Sequence, residues 1–172
     1  VTKSLGEAIR LAEQCSNEVR TISYLLHPPL LDDSGLSSAI QWLADGFAER
    51  SGIAVEVDVP PSFDRLSPEV ETTLFRIVQE SLTNIHKHSG SPTARIQLAS
   101  DAESVFLEIR DEGRGLSSDA LHRMNGTSKA LGVGIAGMRE RLREMRGSLE
   151  LISDRGTTVR AVIPIGGETW QN

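Results

Sequence analysis

Three clusters in this chain combine residue types and spacings that could do chemistry. In "ESLTNIHKHS", residues 80–89, a helical step of about 100° per residue puts Glu80, Asn84 and Lys87 on one stripe, with His88 at its edge. A carboxylate, an amide oxygen and an ammonium in a row can hold hydrated Mg²⁺ and a polyphosphate, because Mg²⁺ keeps several waters and takes only one or two protein oxygens. In "IRDEGRGL", residues 109–116, Asp111 stands at a strand end and can accept from the exocyclic amine of a base; Gly113 and Gly115 let the backbone come close to a flat ligand. In "LGVGIAGMRERL", residues 131–142, glycines precede a helix whose open N–H groups and dipole suit phosphate. Each cluster alone also fits a plain alternative: a solvated helix face, an Asp-Gly turn and a flexible loop.

The elements that must position these residues follow from periodicity. Leu74, Val78, Leu82 and Ile85 form an apolar stripe opposite the polar one, so residues 67–89 read as a helix, capped by Ser67 with Pro68 in its first position. Residues 94–99 and 105–111 read as strands around "SDAES". Residues 148–153 and 157–164 read as a hairpin around "DRG". "IAVEVDV" alternates, with Ile53, Val55, Val57 and Val59 on one face, as in a half-buried strand. Leu36, Ile40, Leu43 and Phe47 mark a helix over residues 36–50, and another runs over 134–146 to Gly147. Residues 116–131 are polar and show no convincing period. Leu5, Ala8, Ala12, Cys15, Val19, Ile22 and Leu26 make a heptad seam that ends at "HPPLL", and a connector is expected at residues 28–34.

The spelling "GVGIAG" (132–137) also matches the dinucleotide fingerprint G-x-G-x-x-G. That motif requires a buried strand before it. The preceding "HRMNGTSKAL" is a polar loop, so the glycines serve another purpose.

The composition, 38% hydrophobic and 24% charged, is that of an ordinary globular domain. A net charge of -6 argues against a nucleic-acid partner. The single cysteine, Cys15, allows no internal disulfide and fits a reducing compartment. No apolar run is long enough for a bilayer, so no direct membrane contact is expected. The chain opens at Val1 within a helical pattern, which reads as a fragment of a longer protein.

The order of the clusters, closed by "RGTTVRAVIP", is similar to the ATP-binding domain shared by gyrase, heat-shock chaperones, histidine kinases and mismatch-repair proteins. "ESLTNIHKHS" resembles that family's N-box, and "DEGRG" and "GVGIAGMRERL" resemble its two glycine boxes. "KHS" and "GMRERL" resemble the sensor histidine kinases whose partners are helix-turn-helix response regulators. The resemblance implies a two-layer α/β sandwich: a mixed sheet of about five strands covered on one face by helices, with an N-terminal dimerisation-type helix. It divides the chain into residues 1–28, the second helix of a dimerisation unit; 36–166, the catalytic domain; and 167–172, a tail.

By the same resemblance Asn84 would bind Mg²⁺, with Glu80 holding the metal or its waters. Lys87 would reach phosphate and act with Glu80 and Asn84 in catalysis. His88 would lie near the ribose and phosphates, and Asp111 would accept the adenine amine. Gly113 and Gly115 would shape the base pocket. Residues 118–131 would form a lid, Gly132, Val133 and Gly134 would serve phosphate, and Thr157 would bind adenine or Asp111. Glu112 departs from the usual Asn or Asp there and is expected to point away from the base. His27 sits in "LLHPPLL" at a helix end and lacks the acidic box of a phospho-accepting histidine, so the acceptor is expected outside this fragment.

The function implied is transfer of the ATP γ-phosphate to a histidine for relay to a response regulator, in a cytoplasmic region of a dimeric sensor. Two other readings are a nucleotide-regulated interaction module without catalysis and an anti-sigma-type serine kinase; the heptad helix disfavours the latter.

Overall fold

The computed structural model describes residues 29–60, 63–125 and 133–165. The heptad seam, Gly132 and the tail lie outside them. In chain order the elements are α1 (Pro29–Ser51), β1 (Ala54–Asp58), α2 (Pro68–Asn84), a π-helical turn (Ile85–Ser89), β2 (Thr93–Ser100), β3 (Ser104–Asp111), α3 (Ser118–Asn125), α4 (Val133–Glu144), β4 (Ser148–Ser153) and β5 (Thr157–Pro164).

The five strands form one mixed sheet in the order β1-β2-β3-β5-β4. β1 and β2 run parallel, and every other neighbouring pair is antiparallel. Strict alternation sorts the two faces. Ile96, Leu98, Val105, Leu107, Ile109, Val159, Ala161 and Ile163 point inward and are buried against helical residues Ile40, Leu74, Phe75, Val78, Met138 and Leu142. The opposite face carries charge. Arg160 donates to Glu108 at 2.9 Å and to Glu150 at 3.5 Å, and its two partners flank it in register. Arg95 pairs with Asp58 at 3.2 Å. Among the described residues, helices therefore cover one face of the sheet, as expected.

The long helix begins as its sequence dictates. The Ser67 hydroxyl accepts from the Val70 N–H at 3.4 Å, and Pro68 stands where no donor is needed. Two expectations need correcting. The connector at 28–34 is helical from Pro29, and α1 is two helical segments meeting at Gly35 (φ 78°, ψ 176°). Proline is tolerated in the first turn of a helix, where its missing N–H is not needed, so a helix can begin at Pro29. Residues 118–125, read as unpatterned, form α3. Ser117 caps it, its carbonyl accepting from Leu121 at 2.8 Å and its hydroxyl from Ala120 at 3.3 Å.

Arg65 ties this kink to α2. Its guanidinium forks onto the buried Glu71 carboxylate at 2.9 and 3.1 Å, and donates to the Leu31 and Asp32 carbonyls at 3.3 and 3.1 Å. The hydrogen bonds to Glu71, and then its charge, raise the Arg65 pKa further above the ordinary arginine value. At Gly35 it is the backbone that favours glycine, since φ is 78° while a Cβ would meet Arg65 Cδ only at an ordinary contact distance of 3.4 Å.

Candidate functional site

A cavity of about 500 Å³ opens between α2, the inner end of the sheet and α3. That volume suits a drug- or nucleotide-sized ligand. Its walls are mostly apolar: Ile85, Ile109, Leu116, Met124, Ile135, Leu151 and Val159. Its polar groups arrive from separate elements. Glu80, Ser81 and Asn84 come from α2, His88 from the π-helical turn, Asp111 from the end of β3, Arg114 from the loop beyond, and Thr157 from the start of β5.

On α2, the Asn84 amide donates to Glu80 Oε1 at 3.3 Å. This turns the amide oxygen away from the carboxylate and leaves both side chains with acceptor capacity. Gly134, in the first turn of α4, abuts Glu80 directly; a Cβ there would collide with the carboxylate. A side chain at 134 would therefore have to push the Glu80 carboxylate out of its present position. Among the described residues no group of three or more His, Cys, Asp or Glu forms a metal cage. A cation held here would take one or two protein oxygens and draw its other ligands from water or phosphate, the coordination habit of Mg²⁺.

The opposite end is a densely wired loop. Asp111 is 3% exposed, and its Oδ1 accepts from the Gly113 N–H at 2.8 Å. Glu112 N–H donates to Ser91 Oγ at 3.1 Å, Arg114 N–H to the Ser89 carbonyl at 3.0 Å, and Leu116 N–H to Ser153 Oγ at 2.8 Å. Ser153 shares its own proton between the Leu116 and Gly156 carbonyls, each 3.2 Å away. The glycines fit this wiring. A Cβ on Gly113 would strike the Ser89 backbone, one on Gly156 the Asp111 carbonyl, and one on Gly115 (φ 67°) would lie 2.6 Å from Ser153 Oγ. Their bareness serves the protein's own packing as much as any ligand.

The structure therefore brings Glu80, Asn84, His88, Asp111, Gly115, Gly134 and Thr157 to one cavity. Lys87 is exposed and outside its lining, because the π-helical turn rotates residues 85–89 away from a regular α progression. Gly113 sits behind the lining, against Ser89. Val133 begins α4, and Gly132 lies outside the described residues. Glu112 is exposed and accepts from Thr93 Oγ1 at 3.3 Å, away from the cavity lining as expected. Sequence reasoning missed Ser81, Ser89, Ser91, Arg114 and Ser153. Ser81 had a signal: it falls on the apolar face of α2, among Leu74, Val78 and Ile85, where a polar residue is out of pattern.

Comparison with known proteins gives concordant matches. The family model described as histidine kinase-, DNA gyrase B-, and HSP90-like ATPase matches residues 69–167. The sensor histidine kinase MctS of Rhizobium johnstonii is 36% identical over 148 residues, covering 86% of this chain and 31% of that protein. The sensor histidine kinase NarS of Mycobacterium tuberculosis is 31% identical over 162 residues, covering 94% of this chain and 37% of that protein. The chain thus spans about a third of the length of these curated relatives. A solved histidine kinase domain, from the blue-light activated kinase of Erythrobacter litoralis EL346, aligns with a TM-score of 0.68 at 19% identity, covering 92% of this chain and 83% of that one. At that identity the likeness is one of fold.

Proposed function

The chain belongs to the histidine kinase-, DNA gyrase B- and HSP90-like ATPase family, and from that membership we propose that it binds Mg·ATP and supplies the catalytic end of a dimeric two-component sensor histidine kinase. One observation carries this reading: Glu80 and Asn84 on a helix, and Asp111 and Thr157 on the sheet, border the same cavity.

Asp111 accepts the adenine amine while its other contact, to the Gly113 N–H, fixes the carboxylate in place. Thr157 supplies a hydroxyl beside it, and the apolar walls enclose the base. Asn84, oriented by its bond to Glu80, presents an amide oxygen to the cation. Mg²⁺, when bound, neutralises charge on the phosphates. Lys87 and His88 stand on the exposed turn that follows, where a flexible ammonium and an imidazole can meet the phosphate tail as it leaves the pocket. The start of α4 at Val133 and Gly134 adds N–H groups and the positive end of a helix dipole.

In the transfer, a histidine imidazole nitrogen attacks the γ-phosphorus, the bond to the bridging oxygen breaks, ADP leaves, and the imidazole gives up its proton to a base. The chain's contribution is positioning and electrostatic stabilisation. Response regulators of the helix-turn-helix type receive the phosphoryl group, and residues 1–28 contribute to the dimer in the parent protein.

Calorimetric titration of this chain with ATP, with and without Mg²⁺, tests the binding step; no heat of binding in a folded sample would overturn the assignment. In the full-length sensor, Asn84→Ala should abolish labelling from γ-labelled ATP. Glu80→Gln should reduce labelling without ending it, because the amide keeps an oxygen but loses the charge.

A further inference from the structure

We propose that Ser81 is a ligand-reading residue of the cavity: its hydroxyl donates to a ring nitrogen of the bound purine, directly or through one trapped water. This rests on the reading of the cavity as a nucleotide site and adds to it a polar contact facing the base.

Ser81 is 1% exposed, lines the cavity, and its Oγ has no hydrogen-bond partner. A buried hydroxyl without a partner is costly and calls for an explanation. The usual remedy for serine or threonine inside a helix is to donate to a carbonyl one turn back. The same helical run applies it twice: Thr83 donates to the Gln79 carbonyl at 2.8 Å, and Ser89 to the Ile85 carbonyl at 2.8 Å. Ser81 does not. It stands one turn before Ile85 on the wall that also presents Asn84 and His88, and it lines the same cavity as Ile109, Asp111, Thr157 and Val159.

Packing alone would be served by alanine, which has the higher helix propensity and no polar atom to desolvate. The hydroxyl gains its partner when the cavity fills. Asp111 can only accept while ionised, so it reads a donor on the ligand. A purine that offers an amine to Asp111 still carries ring nitrogens that need a donor. Ser81 supplies one from the helical wall.

The experiment compares wild type and Ser81→Ala in calorimetric titrations with ATP and with its 1-deaza, 3-deaza and 7-deaza analogues, each replacing one ring nitrogen by a C–H. Ser81→Ala is expected to weaken ATP binding about 2- to 12-fold, the range of one net hydrogen bond. For one of the three analogues that penalty should vanish, because the analogue has already lost the acceptor. The unliganded variant should melt no lower than wild type, which separates a lost ligand contact from a damaged fold. An equal penalty for ATP and all three analogues, or none for any, overturns the role of Ser81 while leaving the nucleotide site standing. Failure of the wild type to bind any of the four would overturn the site itself and this contact with it.

Discussion

At the Asp111 end of the cavity, four backbone N–H groups between residues 112 and 116 are held by Ser91, Asp111, Ser89 and Ser153, and three glycines are pressed against neighbouring protein atoms. At the α3 end, the wall rests on Leu121 and Met124, both only half-buried, with Ser117 capping a helix of eight residues. One end is fixed by directional bonds that tolerate no extra atom. The other is held by a little apolar contact that can be made and unmade at low cost. Under the proposed nucleotide reading, the two kinds of construction would suit a ligand with a rigid base and a flexible phosphate chain.

The largest test of this contrast is Gly156→Val. The residue sits at φ 116° and a side chain would enter the Asp111 carbonyl. Backbone strain and overpacking together should remove about 4 kcal/mol of stability in urea unfolding. A loss no larger than that of a surface substitution would show that the wired end is compliant.

Next comes Asp111→Ala, expected to weaken ATP binding about ten- to a hundredfold, roughly 1.5–3 kcal/mol, for loss of a charge-assisted bond in a desolvated site. Calorimetry with unchanged affinity in a folded variant would remove Asp111 from the base contact. Ser153→Ala should then cost about 1–3 kcal/mol by leaving Leu116 N–H without its acceptor. Amide exchange at Leu116 should accelerate with it, and exchange at wild-type rates would count against the wiring.

The smallest effect belongs to the other end. Leu121→Ala should change global stability by no more than about 1 kcal/mol, since the side chain is only partly buried. It should nonetheless speed amide exchange across 118–125 relative to α2 and raise the nucleotide dissociation rate. A global loss as large as that from Ser153→Ala would erase the distinction between the two ends.

What the sequence made legible divides along the same line. The α2 cap at Ser67–Pro68, the alternating strands and both hairpins are local patterns, and they appear where the pattern puts them. Glu80, Asn84 and Asp111 could be singled out because carboxylates and amides in a fixed spacing are chemically conspicuous. The serines could not. Ser89, Ser91 and Ser153 act through contacts with residues 112–116, up to 37 positions away in sequence, and nothing local marks them. The turn that carries Lys87 out of the lining departs from α-helical pitch, so a wheel drawn at one pitch misplaces it. Residues 118–125 lacked a long apolar stripe because a helix of eight residues with one shallow contact needs only Leu121 and Met124.

The Arg65 arm has a mechanical consequence. It grips the carbonyls of Leu31 and Asp32 with one part of its guanidinium and the base of α2, through Glu71, with the rest. Gly35 divides α1, so the arm joins the segment that begins at Pro29 to the first turn of the helix that carries Glu80 and Asn84. A displacement of that segment would reach the base of this helix through one guanidinium, whereas the loop of residues 112–116 is anchored to Ser89, Ser91 and Ser153 instead.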